Sequence, residues 1–186
     1  MKIRIYGDPF LKKKSRFVDK IDNEITALGK SLIDTMFEKD GIGLAAPQTG
    51  IDLRMLSIAV PFPKNRNQQQ PLSMSPGEIK LLPMMPMVLI NPEIISYSQV
   101  LESAEEGCLS VPDIYAMVTR PSSILLKARI LGGDTFTLEC GGFLARAVQH
   151  EVDHLDGVLF VDRLDTEEFS NIKNKLDRLL KQHKKR

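Results

Sequence analysis

The residues with the most chemistry to offer are His150-Glu151-Val152-Asp153-His154, an H-E-x-x-H arrangement. Apolar Ala147, Val148, Val152 and Leu155 surround it, and the pattern predicts a helix from Phe143 to Asp156, stopped by Gly157. Side chains four apart stack on one helix face, so both imidazoles can reach a single metal ion. Glu151 points into the neighbouring sector, where a carboxylate can take the proton of a water that the ion acidifies. Metal-assisted hydrolysis needs that division of labour. The bland alternative is a solvated polar stripe. Only three histidines occur, two of them at this spacing, and the apolar flanks speak against a wholly exposed face.

A catalytic site of this kind takes three protein ligands and keeps one position open. His183 is the remaining histidine, but it stands in a basic tail with Lys181, Lys184, Lys185 and Arg186, a poor place for a buried ligand. The better candidate is Cys108, within Glu105-Glu106-Gly107-Cys108-Leu109-Ser110-Val111-Pro112. A thiolate at a strand edge binds a soft divalent ion strongly. Taken alone, Cys108 reads as a small buried hydrophobe. Cys140, next to Gly141-Gly142, has no such context and is read as structural, and in a reducing compartment no disulfide between the two is expected. A third segment runs Gly41-Ile42-Gly43-Leu44-Ala45-Ala46-Pro47-Gln48. Its small residues let backbone approach a ligand, and the Gln48 amide can donate to an oxyanion. It lacks the spacing of a dinucleotide or phosphate loop, so no nucleotide cofactor is expected. By itself it reads equally as a tight connection between a helix and a strand.

Other elements must hold these segments. Ile21, Ile25, Leu28, Leu32, Ile33, Met36 and Phe37 recur at helical period, with Asp22 as cap and an end near Asp40-Gly41. A last helix starts at Asp165, with Glu168 as its capping-box partner, and buries Phe169, Ile172, Leu176, Leu179 and Leu180. Leu53 to Val60, Val88 to Asn91, Ile94 to Val100, Ser123 to Ile130 and Phe136 to Glu139 read as strands, with a hairpin turn at Gly132-Gly133. The Pro61–Met87 stretch holds six prolines, several methionines and the Gln68-Gln69-Gln70 run, and reads as a long surface loop. Strands without regular alternation with helices favour an α+β fold. Small antiparallel or mixed sheets are expected to pack around the metal-binding helix, between N-terminal and C-terminal helices.

The chain of 186 residues reads as one domain, 1–186. It is 42% hydrophobic and 26% charged with a net charge of +1, so no whole-protein field argues for nucleic acid or membrane. The opening residues lack a signal-peptide pattern, and the most apolar stretch, Leu81 to Ile90, is too short to span a bilayer. A cytoplasmic protein is expected.

Three segments in this order, G-x-G-x-A-A-x-Q, then E-G-C-L-S, then H-E-x-x-H, resemble the peptide deformylases of bacteria. Gly7-Asp8-Pro9 with Leu11, Asn91-Pro92 and the closing helix extend the resemblance over nearly the whole chain. It implies an enzyme that removes the formyl group from N-formyl-methionyl nascent peptides. It further implies a divalent metal on Cys108, His150 and His154, natively Fe(II), with nickel, cobalt or zinc tolerated. Glu151 would be general base and acid, and Gln48 and the Leu109 amide would stabilise the oxyanion. Ile42, Gly43 and Gly107 would bind the substrate, which adds a strand to the cleft, and Phe143 and Ala147 would help wall a methionine pocket. The helix from 165 to 186 would dock on the ribosome. Two features depart from the family pattern: Tyr115 stands where some bacterial members carry an arginine, and the 61–87 stretch is longer than in compact members. Arg120 is a candidate partner for Glu106. Rival readings are a zinc peptidase without a cysteine ligand, a catalytically silent binding protein, and a structural zinc site.

Overall fold

Asp22 opens helix α1 (Asn23–Glu38) by accepting hydrogen bonds from the backbone N–H groups of Glu24 and Ile25, each at 3.0 Å. Two donors that a helix start leaves free are thereby satisfied. The apolar face of α1, with Leu32 and Met36 fully buried, packs with Leu44, Met55, Val88 and Ile90. The protein is described here from a computed structural model covering residues 1–62 and 74–183. The Gln68-Gln69-Gln70 run and the tail residues Lys184, Lys185 and Arg186 lie outside the described residues.

Seven strands occur among the described residues: β1 (Gly43–Ala45), β2 (Met55–Ile58), β3 (Met87–Tyr97), β4 (Leu101–Cys108), β5 (Val111–Pro121), β6 (Ser123–Ile130) and β7 (Thr135–Gly141). Five form an antiparallel sheet in the order β1-β2-β3-β6-β7, and β4 and β5 pair as a separate hairpin. Helix α2 (Pro76–Leu81) precedes β3, α3 (Gly142–Leu155) follows β7, and α4 (Thr166–His183) closes the described chain. The fold is α+β, with α3 at its centre. Leu144, Val148, Val152 and Leu155 of α3 join Leu56, Ile58, Leu89 and Leu126 of the large sheet in the main core. On the hairpin, Val111, Ile114 and Val118 of β5 share a second core with Phe160 and with Ile172 and Leu176 of α4. No helix among the described residues is long and apolar enough to cross a membrane.

Several expectations need correction. The two strands predicted at Val88–Asn91 and Ile94–Val100 are one strand, β3, with register shifts between Ile90 and Glu93 and between Ile94 and Ser96. Pro92 has no N–H to give the ladder, and Asn91 sits at φ 49°, so the strand bulges instead of ending. The Asn91 side chain bonds both backbone groups of Val18, at 2.8 and 2.9 Å, which holds the bulge. The described part of the Pro61–Met87 stretch is not a surface loop over its whole length. Residues 76–81 are helical, and Leu81 and Leu82 enter the main core. Ser75 caps α2, and Glu78 returns to the Ser75 N–H at 2.9 Å. Ser75 Oγ also accepts from the Gly141 N–H at 2.9 Å. Helix α3 has no side-chain cap of its own and no acid in its first turn, so Ser75 and Glu78 act there from outside. At α4 the capping box is only half made. Asp165 accepts from the Glu168 N–H at 2.8 Å, but the Glu168 carboxylate accepts from Met117 N–H of β5 instead.

Candidate metal centre

Helix α3 places His150 and His154 one turn apart with ring centroids 5.0 Å apart. The β4–β5 turn brings Cys108 to the same point, with Sγ 3.1 Å from His154 Nε2. The ligand atoms of Cys108, His150 and His154 all lie within 4.8 Å of one another. The turn is pinned from behind, where the Tyr6 N–H donates to the Ser110 carbonyl at 2.7 Å. A thiolate and two imidazoles form a donor set for a divalent transition-metal ion. No fourth protein ligand joins the group among the described residues, so the arrangement is that of an open site and not a closed structural one.

His150 faces this point with Nε2 because Nδ1 is taken by Glu106 Oε2 at 2.9 Å. Glu106 is held in turn by Arg120, through Nε at 2.7 Å and Nη2 at 3.0 Å, and by Arg146 Nη1 at 2.8 Å. Arg120 Nη1 reaches on to Asp153 at 2.8 Å, which also pairs with Arg163 at 2.6 Å. The Arg120–Glu106 pair expected from the sequence is therefore present, and both side chains are buried. Arg146, Asp153 and Arg163 were missed. A signal existed for the first, since Arg146 stands four residues before His150 on one helix face.

The electrostatics suit a cation. Burial acts to raise the Glu106 carboxyl, but hydrogen bonds from His150 and Arg120 outweigh it and bring it down to about 2. Burial also opposes a proton on His150, yet the hydrogen bonds with Cys108 and Glu106 hold its pKa well above the ordinary value. Positive charge is thus favoured at His150. Burial, then the neighbouring His150 and Arg120, push His154 well below the usual histidine range, leaving a neutral imidazole. Burial raises Glu151 to about 7, where a carboxylate can take and return a proton near neutrality. Glu151 Oε2 and His154 Nδ1 are buried without a hydrogen-bond partner among the described residues. A buried carboxylate oxygen left in this state marks a place for a ligand or water.

A cleft of about 420 Å³ opens beside these groups. Ile42, Gly43, Gly107, Leu109, Phe143, Ala147, His150 and Glu151 all line it. Gln48 is buried, and its Oε1 accepts from the Ala45 N–H at 2.8 Å. That bond turns the amide NH₂ toward Ser110 Oγ at 3.2 Å and Cys108 Sγ at 3.4 Å. β1 is an edge strand, so one side of its backbone can pair with an extended peptide. Among the described side chains the structure thus brings together the candidate site residues Ile42, Gly43, Gln48, Gly107, Cys108, Leu109, His150, Glu151 and His154, whereas Cys140 stands apart from them and the His183 side chain lies outside the described residues. The Cys140 thiol is fully buried and pushed up to about 12, chiefly by that burial, and is inert.

Gly43 must remain glycine. A Cβ there would lie 2.7 Å from Glu151 Cδ and 2.9 Å from Cγ, forcing the carboxylate aside. Gly43→Ala is expected to lower kcat by about 10²-fold, as a catalytic group displaced by about 1 Å does, with metal content retained. Metal analysis beside steady-state kinetics checks it, and unchanged kcat refutes it.

A profile described as polypeptide deformylase matches residues 1–170. Peptide deformylase 2 of Gloeobacter violaceus is 42% identical over 165 residues, which cover 89% of this chain and 79% of that protein. The crystal structure of Arabidopsis thaliana peptide deformylase 1B bound to an inhibitor superposes with a TM-score of 0.82 at 34% identity, covering 100% of this chain and 93% of that one. The peptide deformylase of Synechococcus elongatus in complex with actinonin gives a TM-score of 0.76 at 34% identity, over 98% of this chain and 85% of that one. The chain belongs to the polypeptide deformylase family, hydrolases that remove the N-formyl group from nascent polypeptides.

Proposed function

We propose that Cys108, His150 and His154 hold the ion for this deformylation, and that Glu151 serves as general base and then general acid. The observation that carries the assignment is three convergent donors beside a buried carboxylate raised to about 7. A divalent ion bound there supplies Lewis acidity, acidifying a water and polarising the formyl carbonyl. Glu151 takes the water's proton and later returns it to the departing amine. The Gln48 amide and the Leu109 backbone N–H donate to the oxygen on which negative charge develops. Ile42, Gly43 and Gly107 hold the peptide backbone, and Phe143 and Ala147 help wall the methionine pocket. Residues 1–186 act as one catalytic domain. The substrate is an N-formyl-methionyl peptide, and a reducing cytoplasm is the compartment that suits a thiolate ligand. The native ion is Fe(II), which nickel, cobalt or zinc can replace. Elemental analysis of protein purified without oxygen tests that choice, and zinc in place of iron refutes it.

Formate release from an N-formyl-methionyl peptide, by protein loaded with ferrous or nickel ion, tests the function. Release that a chelator abolishes supports it. Folded, metal-loaded protein that releases no formate returns the chain to a binding role.

The exposed side of α4 carries Lys173, Lys175, Arg178 and Lys181, and this basic face suits ribosomal RNA. Truncation from Leu179 is a poor test, because Leu179 packs on the second core and Leu180 lies against Gly7. Reversing the four charges leaves that packing in place. Co-sedimentation with ribosomes is expected to weaken, most clearly at moderate salt, and undiminished binding sinks the docking role.

A further inference from the structure

β7 ends at Gly141 and α3 starts at Gly142, so two adjacent glycines carry the chain from the sheet into the helix with no loop between. Gly142 stands at φ 54°, a region that glycine enters freely. A glycine pair has little conformational preference of its own, and α3 has no side-chain cap to supply one. The restraint comes from α2. Ser75 gives its hydroxyl proton to Glu78 Oε2 at 2.7 Å. The oxygen is left to accept from the Gly141 N–H at 2.9 Å and from the Glu78 N–H at 3.3 Å. Glu78 is buried and covers the next residue, where a Cβ on Gly142 would lie 3.1 Å from Oε1. Gly77 lets α2 sit this close, since a Cβ there would come within 2.5 Å of Cys140 Sγ and 2.7 Å of the Glu139 carbonyl oxygen.

Phe143 is the residue that this clamp holds in place. It follows Gly142 directly, lines the cleft with Ile42, Ala147 and Glu151, and is 50% exposed. It joins none of the three apolar cores among the described residues, whereas Leu144, one position on, is buried in the main core. Packing therefore holds α3 from Leu144 onward, and the residues ahead of it depend on an outside restraint. We infer that Ser75, held by Glu78, is a positioning residue for substrate selection. By fixing the glycine pair it sets where the Phe143 ring stands, and so how strongly the cleft prefers a methionine side chain to a smaller one. The inference rests on the reading of Phe143 as a wall of the methionine pocket.

The effect is confined to binding. Glu151 stands about two turns further along α3, where the core already holds the helix, so kcat and metal content are expected to be kept. One methylene of contact in an apolar pocket discriminates by about tenfold or more, and a wall that is free to move gives up contact on that scale. The preference for methionine over alanine at the formylated residue, measured in kcat/KM, is expected to fall about tenfold. The loss falls in KM, because the pocket is remote from the reacting bond and binds ground and transition states alike.

Ser75→Gly is the variant that separates the clamp from the cap. Glycine opens a helix nearly as well as serine, so α2 keeps its start and only the hydroxyl that accepts from Gly141 is lost. The metal-loaded full chain is assayed for formate release from N-formyl-Met-Ala-Ser and N-formyl-Ala-Ala-Ser. The parent, Ser75→Gly, Phe143→Ala and the double variant are compared, each with a thermal melt and a metal analysis. Support requires a lower methionine preference in Ser75→Gly, carried by KM, and no further drop when Ser75→Gly is added to Phe143→Ala. A lower melting temperature with an unchanged preference makes Ser75 a structural cap alone and overturns the inference. A fall in kcat or in metal content also overturns it, because the whole helix would then have moved, and so does an additive drop in the double variant. An unchanged preference in Phe143→Ala removes the pocket wall and the clamp with it, while its formate release leaves the deformylase reading intact. Failure of the parent to release formate from either peptide overturns the cleft assignment and the clamp together.

Discussion

Glu151→Gln is expected to keep its metal and to lose turnover by about 10²- to 10⁴-fold, the usual worth of a positioned general base. Glutamine has nearly the same shape, so the contact with Gly43 is preserved and the helix is undisturbed. Glu151 is not among the three convergent donors, so stoichiometric metal should remain. What disappears is the group that accepts and returns the proton. The amide also relieves a penalty, since burial pushes the Glu151 carboxyl up to about 7. A carboxyl raised above its unfolded value of 4.5 contributes most to stability while protonated, and that contribution is lost as pH rises through about 7. The metal-free variant should therefore be at least as stable as the metal-free parent at pH 8. Metal content, kcat and a thermal melt decide the matter together. Near-normal kcat in a metal-replete variant would remove Glu151 from its role.

Arg120→Leu is expected to destabilise the protein by about 3–5 kcal/mol, the usual cost of stripping a buried charge of its partner. Arg120 lies between two carboxylates and makes three hydrogen bonds to them, two with Glu106 and one with Asp153. Both acids are buried, and neither can reach water easily once the guanidinium has gone. Arg120→Lys restores a charge without the two-pronged geometry, so partial rescue is expected. The pH dependence carries a second signature. Glu106 is depressed from 4.5 to about 2, so its contribution is present above about pH 4.5 and is lost as pH falls toward 2. In Arg120→Leu one cause of that depression is removed, and the loss of stability between pH 5 and 3 should be shallower. Urea midpoints at neutral and acid pH measure both effects. Midpoints equal to the parent's would mean that Arg120 contributes no net stability. Glu106 also orients His150, so weakened metal retention should accompany the lower midpoint.

These two residues also separate what a sequence can disclose from what it cannot. His150, Glu151 and His154 were legible because a helix encodes its own geometry, so spacing by four already places two imidazoles on one face. Asp22 as a cap and Gly157 as a stop were legible for the same reason, since their effects act within one turn. The α+β class followed from elements whose periodicity is local. Cys108 could be nominated from its context, but bringing it to His154 across 46 residues required the β4–β5 hairpin, which the alternation of β5 did not announce. The network from Glu106 through Arg120 to Asp153 and Arg163 joins four elements or turns, and no spacing rule relates them. Ser75 and Glu78 looked like parts of a surface loop and instead sit at the start of α3. The sequence by itself determined the donors, the base and the helix that carries them, because those depend on neighbours within a turn. The tertiary structure alone decided which distant charges orient the ligands, because ion pairing depends on distance in space and not along the chain.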